Sequence, residues 1–155
     1  MPIQNYNIYT GNAYKGQESD ASSPRVNGTG VAEVAIGFGV ALKRGTNEGQ
    51  VDLGHTAGNV FGIAIREANH EAKFRPSTGK TEYPVTQSVS LMREGYINVE
   101  VTARAAVAGA FANVVDATGE FAGGAAGAGE TASVNVQFME AGQVGDIVRA
   151  RIDVK

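Results

Sequence analysis

The stretch VAIGFGVAL, residues 34–42, alternates large apolar residues with very small ones without a break. The residues at positions 34, 36, 38, 40 and 42 are Val, Ile, Phe, Val and Leu, and the residues between them are Ala or Gly. A period of two predicts a β-strand, because successive side chains of a strand point to opposite faces. Glycine inside a strand marks either a bend or the close approach of another backbone. The pattern therefore predicts a strand over about residues 31–43, with its small-residue face pressed against another part of the domain.

The rest of the chain carries the same kind of signal. VFGIAIR (residues 60–66) repeats the large-small alternation, and YINVEVTA (residues 96–103) alternates apolar with polar residues. A chain of 155 residues with 43% apolar content can build one hydrophobic core, and its 21 glycines suit many short strands joined by turns. We predict an all-β fold, a small β-barrel or jelly-roll-like sandwich of eight to ten short strands, with an extended N-terminal arm.

Residues 1–30 differ from the remainder because no period of two or 3.6 runs through them. Tyr and Ile are scattered among Asn, Gln, Gly and Ser, and residues 16–30 have the composition of a loop. A frayed terminus is one interpretation, and an arm with aromatic anchors that orders on a partner surface is the other. We favour the arm, and we divide the chain into an arm and linker (residues 1–30) and a single β-barrel or sandwich domain (residues 31–155).

Charge and composition exclude several classes of partner. The net charge is −3 and no block of Lys or Arg occurs, so neither nucleic acid nor an anionic membrane is an expected partner. No apolar run approaches the ~20 residues that cross a bilayer, and the N-terminus lacks the basic and apolar regions of a secretory signal. Cys is absent, which excludes disulfides and thiolate chemistry.

Two short motifs resemble catalytic signatures but lack essential residues. Gly79-Lys80-Thr81 lacks the earlier glycine of a phosphate-binding loop, and His70-Glu71 lacks the second His of a zinc site because Phe74 occupies that position. We therefore expect no catalytic, cofactor-binding or metal-ligating residues, no cofactor and no enzymatic activity. The remaining route to an enzymatic activity is a pair of Asp or Glu carboxylates that the fold brings together from distant positions in the sequence.

Six segments, in order, resemble the structural cement (capsid decoration) proteins of tailed bacteriophages, and the resemblance covers roughly residues 31–155. These segments are VAIGFGVALKRGT (34–46), VDLG (51–54), VFGIAIRE (60–67), YPVTQSVSLMREGYINVEV (83–101), VAGAFANVVDATGEF (107–121) and RARIDV (149–154). The resemblance implies a non-catalytic β domain on the outer surface of the virion, made in the host cytoplasm. It also implies that the domain binds the major capsid protein across subunit contacts and associates with itself as a dimer or trimer at local symmetry axes.

For the capsid or oligomer interface we select residues of the arm and of two polar loops, residues 44–48 and 67–80. The alternative is that these loops are merely solvated. The selected residues are Ile3, Tyr6, Ile8, Tyr9, Tyr14, Arg44, Asn47, Arg66, His70, Phe74 and Arg75. A competing function is a β-sandwich carbohydrate- or receptor-binding module on the virion, although the chain has no Trp to build an aromatic platform.

Overall fold

The computed structural model describes residues 14–20, 22–72 and 79–153, and these residues form eleven strands and one short 3₁₀ helix, Ala68–His70. The strands are β1 (Val26–Ala32), β2 (Ile36–Gly37), β3 (Ala41–Arg44), β4 (Gln50–Leu53), β5 (Gly62–Ala64), β6 (Glu82–Tyr83), β7 (Ser88–Ala103), β8 (Phe111–Val115), β9 (Phe121–Ala122), β10 (Glu130–Phe138) and β11 (Ile147–Asp153). The predicted all-β class is confirmed. Within the described residues, no helix is long and apolar enough to cross a membrane.

The strands close into two rings that share β7. In the first ring the order is β1-β4-β3-β5-β7, and β7 pairs back to β1. In the second ring the order is β7-β11-β10-β8-β9, and β9 pairs back to β7. The short pair β2–β6 stands apart from both rings. The predicted barrel is therefore present as two small five-stranded barrels, and closure leaves few free strand edges.

Each barrel has its own apolar core, and the two cores adjoin. The first core contains Phe38, Leu42 and Tyr83, and the second contains Phe121 and Phe138. Along the second half of β7 the predicted alternation is confirmed over residues 97–102, because its apolar residues are buried and the polar residues between them are half-buried. Ala103, predicted to face inward, is half-buried as well. One strand thus contributes side chains to both cores.

The opening stretch is not one continuous strand, and the prediction of a strand over residues 31–43 is wrong. It is divided into the end of β1, β2 and β3, with the chain turning at Gly39. Gly39 has φ +67°, a conformation that favours glycine. A Cβ atom on Gly39 would lie 2.6 Å from the backbone nitrogen of Gly16, so the two backbones touch. Both expected reasons for glycine, a bend and the close approach of a backbone, apply at this position.

The backbone that approaches Gly39 belongs to residues 14–20, which we call the N-terminal segment. It lies along the edge of β7 that faces away from β11. The Gly16 N–H donates to the Asn98 carbonyl (2.7 Å), the Asn98 N–H donates to the Gln17 carbonyl (2.9 Å), and the Ser19 N–H donates to the Tyr96 carbonyl (3.1 Å). This part of the predicted arm is therefore bound to the β domain. Residues 1–13 lie outside the described residues, and an arm there stays a prediction.

The Gly16–Gly39 contact predicts different outcomes for two glycines of the same stretch. Gly39→Ala should lower the free energy of unfolding by about 2–4 kcal/mol, because it combines a left-handed φ with a backbone clash. Gly37→Ala should change it by no more than about 0.5 kcal/mol, because no atom lies within 4 Å of its Cβ position. Urea unfolding of both variants measures the difference, and equal losses would contradict the contact.

Candidate functional site

Five of the residues selected for an interface lie within the described structure, and they form two groups. The first group is Tyr14 and Arg66 at the start of the N-terminal segment, with His70 in the 3₁₀ helix whose following residue, Glu71, pairs with Arg66. Arg44 is the last residue of β3, and Asn47 lies in the turn that follows it; residues 44–49 are called the β3–β4 loop. The remaining six, Ile3, Tyr6, Ile8, Tyr9, Phe74 and Arg75, lie outside the described residues, so the structure does not place them.

Tyr14 is held on the domain surface by Arg66. The guanidinium carbon of Arg66 lies 3.7 Å from the Tyr14 ring centroid, and its Nη2 lies 2.6 Å from a carboxylate oxygen of Glu71. The Arg66 N–H also donates to the Gly16 carbonyl (2.7 Å). Cation–π contact and a charge-assisted hydrogen bond therefore fix the residue from which the chain continues towards residues 1–13. Tyr14 is 47% exposed, so part of its ring is open to a partner.

His70 is largely covered by the protein. It is 9% exposed, and its ring centroid lies 4.6 Å from that of Tyr83. The Tyr83 hydroxyl donates to the Ile65 carbonyl (2.5 Å), and burial together with the nearby Glu67 charge raises the pKa of Tyr83. The His70 ring thus packs against Tyr83 of the first core, and the assignment of His70 to an interface stays a prediction.

The β3–β4 loop has a shape that two side chains hold in place. The Glu33 carboxylate accepts hydrogen bonds from the Thr46 N–H (2.9 Å) and the Thr46 hydroxyl (2.6 Å). Gln50 Oε1 accepts hydrogen bonds from the Asn47 N–H (3.1 Å) and from Asn47 Nδ2 (3.0 Å). The Asn47 side chain therefore has a local role in shaping the loop, while the residue remains exposed.

Beside this loop lies an arrangement that the sequence analysis missed. The guanidinium carbons of Arg44 and Arg93 lie 4.6 Å and 4.7 Å from the centroid of the Phe61 ring. Phe61 comes just before β5, and Arg93 lies in β7. No local pattern could have revealed the group, because strand pairing brings together residues that are far apart in the sequence.

One His–Asp pair resembles the base of a hydrolase but has both ring nitrogens engaged. His55 Nε2 lies 2.7 Å from Asp116 Oδ1, and the Gly58 N–H donates to His55 Nδ1 (3.0 Å). Because Nδ1 accepts, Nε2 carries the proton of the neutral ring. Neither nitrogen is left to act on a third group in this arrangement. The pair instead connects the loop after β4 to the turn after β8, and so joins the two barrels.

The described residues contain no group of three or more His, Asp or Glu residues placed to hold a metal ion.

Comparisons with known proteins connect this architecture to phage particles. Residues 2–153 match the family model described as structural cement protein (E217 gp24/Pam3 gp6). A chain in the capsid structure of Myoviridae phage XM1 superposes with a TM-score of 0.71 at 18% identity, covering 91% of this chain and 90% of that one. The N base of head fiber gp8.5 in bacteriophage phi29 gives 0.51 at 12% identity, covering 85% and 97%. At such identities the two structures show a shared fold. None of the curated proteins matches the sequence.

Because of its hydrogen bond with His55, Asp116 should have a lowered pKa in the folded protein. Hydrogen bonds from His55 and then from Thr131 (2.9 Å) lower the pKa of Asp116 from its ordinary value of 3.8. A lowered pKa in the folded protein means that this carboxylate favours folding above pH 3.8, and that the contribution disappears as the pH falls through the lowered value. NMR titration should show the pKa of Asp116 rising towards 3.8 in His55→Ala, and less so in Thr131→Val. An unchanged pKa in His55→Ala would contradict the pairing.

Proposed function

The chain belongs to the structural cement protein family of phages, and from this premise we propose that it binds the outer surface of the assembled head and stabilises contacts between major capsid protein subunits. A structural role in the phage capsid follows from family membership itself. The observation that supports the proposal most strongly is the length of the family match, because residues 2–153 include both barrels and almost all of the N-terminal region. In this proposal the protein performs no catalysis.

The two-barrel body suits a cement because it is rigid. The rings share β7, and the N-terminal segment is hydrogen-bonded along the remaining edge of its second half. A rigid body loses little conformational entropy when it binds, so weak contacts are sufficient. On a capsid lattice, simultaneous engagement of several contacts raises the overall affinity well above that of each contact.

Residues 2–13 act as the arm in this proposal, and Tyr14 is its attachment point. Tyr14 is fixed by Arg66, so the arm leaves the domain from a defined place. Aromatic and aliphatic side chains such as Tyr6, Ile8 and Tyr9 are suitable anchors for a groove on a neighbouring subunit. The interface residues Phe74 and Arg75 are proposed to contact the capsid from the second polar loop.

Self-association as a dimer or trimer at local symmetry axes is part of the proposal, with the major capsid protein as the other partner and neither nucleic acid nor membrane involved. The second barrel carries apolar side chains that a second copy can cover. Phe111 is 52% exposed and Val134 is 64% exposed, and both line one shallow depression with Arg151 and Asp153. Burial of such side chains is the usual driving force for association.

Capsid binding by the full chain and by an arm deletion tests this function. The purified full-length protein should co-sediment with cognate heads that lack it and should raise their melting temperature. Deleting residues 2–13 should leave the melting temperature of the isolated protein unchanged, because Tyr14 and Gly16 keep their contacts, and should weaken head binding by about tenfold or more.

A second, longer deletion distinguishes the arm from the N-terminal segment. A deletion of residues 2–16 removes Tyr14 and Gly16 as well, and should destabilise the isolated protein, which separates the arm from the N-terminal segment. Failure of the full-length protein to bind or stabilise heads contradicts the proposed function. Full occupancy by the protein lacking residues 2–13 contradicts the arm alone.

A further inference from the structure

Arg44 and Arg93 differ from the other cationic side chains of the described structure because neither has a carboxylate partner. Each of the other described Lys and Arg residues has a carboxylate oxygen within 3.8 Å of a side-chain nitrogen. The two unpaired guanidinium groups lie over the same ring, that of Phe61, and their central carbons are within about 10 Å of each other. A chain with net charge −3 thus concentrates unneutralised positive charge at one place.

No Asp or Glu side chain supplies the missing partner within the described structure. All 16 Asp and Glu residues lie within the described residues. The acidic residues near the pair have other partners, since Glu33 accepts hydrogen bonds from Thr46 and Asp52 pairs with Lys43 at 3.2 Å. Glu94 follows Arg93 along β7, where the register of β7 against β1 shifts, and it forms no ion pair with a described residue. Glu48 is exposed in the β3–β4 loop and forms no ion pair with a described residue.

Contact with Phe61 holds the two guanidinium groups without using their hydrogen-bond donors. A cation–π contact engages the charge of a guanidinium group and leaves its N–H groups available to a ligand. Arg93 Nε is buried and has no hydrogen-bond partner in the described structure. Phe61 packs against the first core and is only partly exposed, so it provides a fixed support.

The surface beside Arg44 and Phe61 is concave, and Arg93 lies next to it on the same ring. Arg44, Phe61 and the β3–β4 loop line a shallow depression of about 320 Å³. Glu33 and Gln50 hold the loop in place through the hydrogen bonds to Thr46 and Asn47. A ligand therefore meets Arg44 on a surface whose loop is already held in place, which favours binding.

We infer that Arg44 and Arg93, supported by Phe61, bind a carboxylate-bearing segment of the capsid protein. This inference rests on the proposed function and adds the chemistry of the partner. Carboxylates match the planar donors of arginine in two-point hydrogen bonds, which are shorter and stronger than neutral ones. Nucleic acid is the less suitable partner, because two arginines on an acidic protein do not form the extended basic surface that a phosphate backbone requires.

The double variant Arg44→Gln/Arg93→Gln tests the inference in the full-length protein. Its affinity for cognate heads should fall by about tenfold or more, and the salt dependence of binding should become weaker than in the wild type. Lys43→Gln is the matched control, because it removes one charge from the neighbouring residue, whose own partner is Asp52. The control should retain head affinity to within about twofold. Unchanged unfolding of all three proteins in urea confirms that they are folded.

A peptide titration tests the same surface without heads. At low salt, hexaglutamate should shift the Nε–Hε NMR signals of Arg44 and Arg93 in the wild type, and the matched Lys43→Gln protein should respond in the same way. If the wild type fails to bind heads, the proposed function is contradicted, and the titration alone decides the inference. Equal head affinity of wild type and double variant overturns the inference, as does an equal loss in the Lys43→Gln control. Shifts with an oligonucleotide but not with hexaglutamate also overturn it and indicate nucleic acid instead.

Discussion

Both barrels depend on the hydrogen bonds of one strand, β7. Its 16 residues pair with β1 and β5 in the first half and with β11 and β9 in the second, so neither ring closes without it. The N-terminal segment covers the free edge of the second half through Asn98 and Tyr96. Because the same strand supplies side chains to both cores, loss of order in one barrel removes support from the other. The His55–Asp116 pair adds a second connection between the barrels.

A body closed in this way leaves recognition to its loops and to its N-terminal end. Strand edges are largely paired, so addition of a partner strand is not the natural mode of binding. Tyr14 fixes the start of the arm, and the β3–β4 loop shapes the depression beside Arg44 and Phe61. The two barrels, the arm that starts at Tyr14 and the arginines beside Phe61 can engage a repeating lattice at several points. Each contact can be weak, because multivalency supplies the affinity.

Sequence periodicity predicted the fold class because burial on a strand alternates with the same period. It was reliable over residues 97–102, where one face is buried in the second core. In the opening stretch it predicted the burial of Ile36, Phe38 and Leu42 but not the break at Gly39. That break depends on Gly16, which lies far earlier in the chain and has no signal in the local pattern. The resemblance to cement proteins over residues 31–155 is confirmed by the family match, which extends to residue 2.

The surface features were less predictable than the fold. Arg44 was selected as a loop residue, whereas its relation to Phe61 and Arg93 arises only when β3, β5 and β7 pair. His70 was selected from a polar loop, yet Tyr83 covers its ring, because residues 82–83 fold back as β6. In each case a contact between distant segments decides the environment of the side chain, and a single sequence does not encode that contact in its local pattern.

Cryo-electron microscopy of heads assembled with and without the protein shows whether it binds across capsid subunits on the outer surface. We expect additional density on the outer surface of the decorated heads, lying across neighbouring major capsid protein subunits, with the β3–β4 loop facing the shell. Density inside the shell or at the tail, or identical maps for the two preparations, would contradict it.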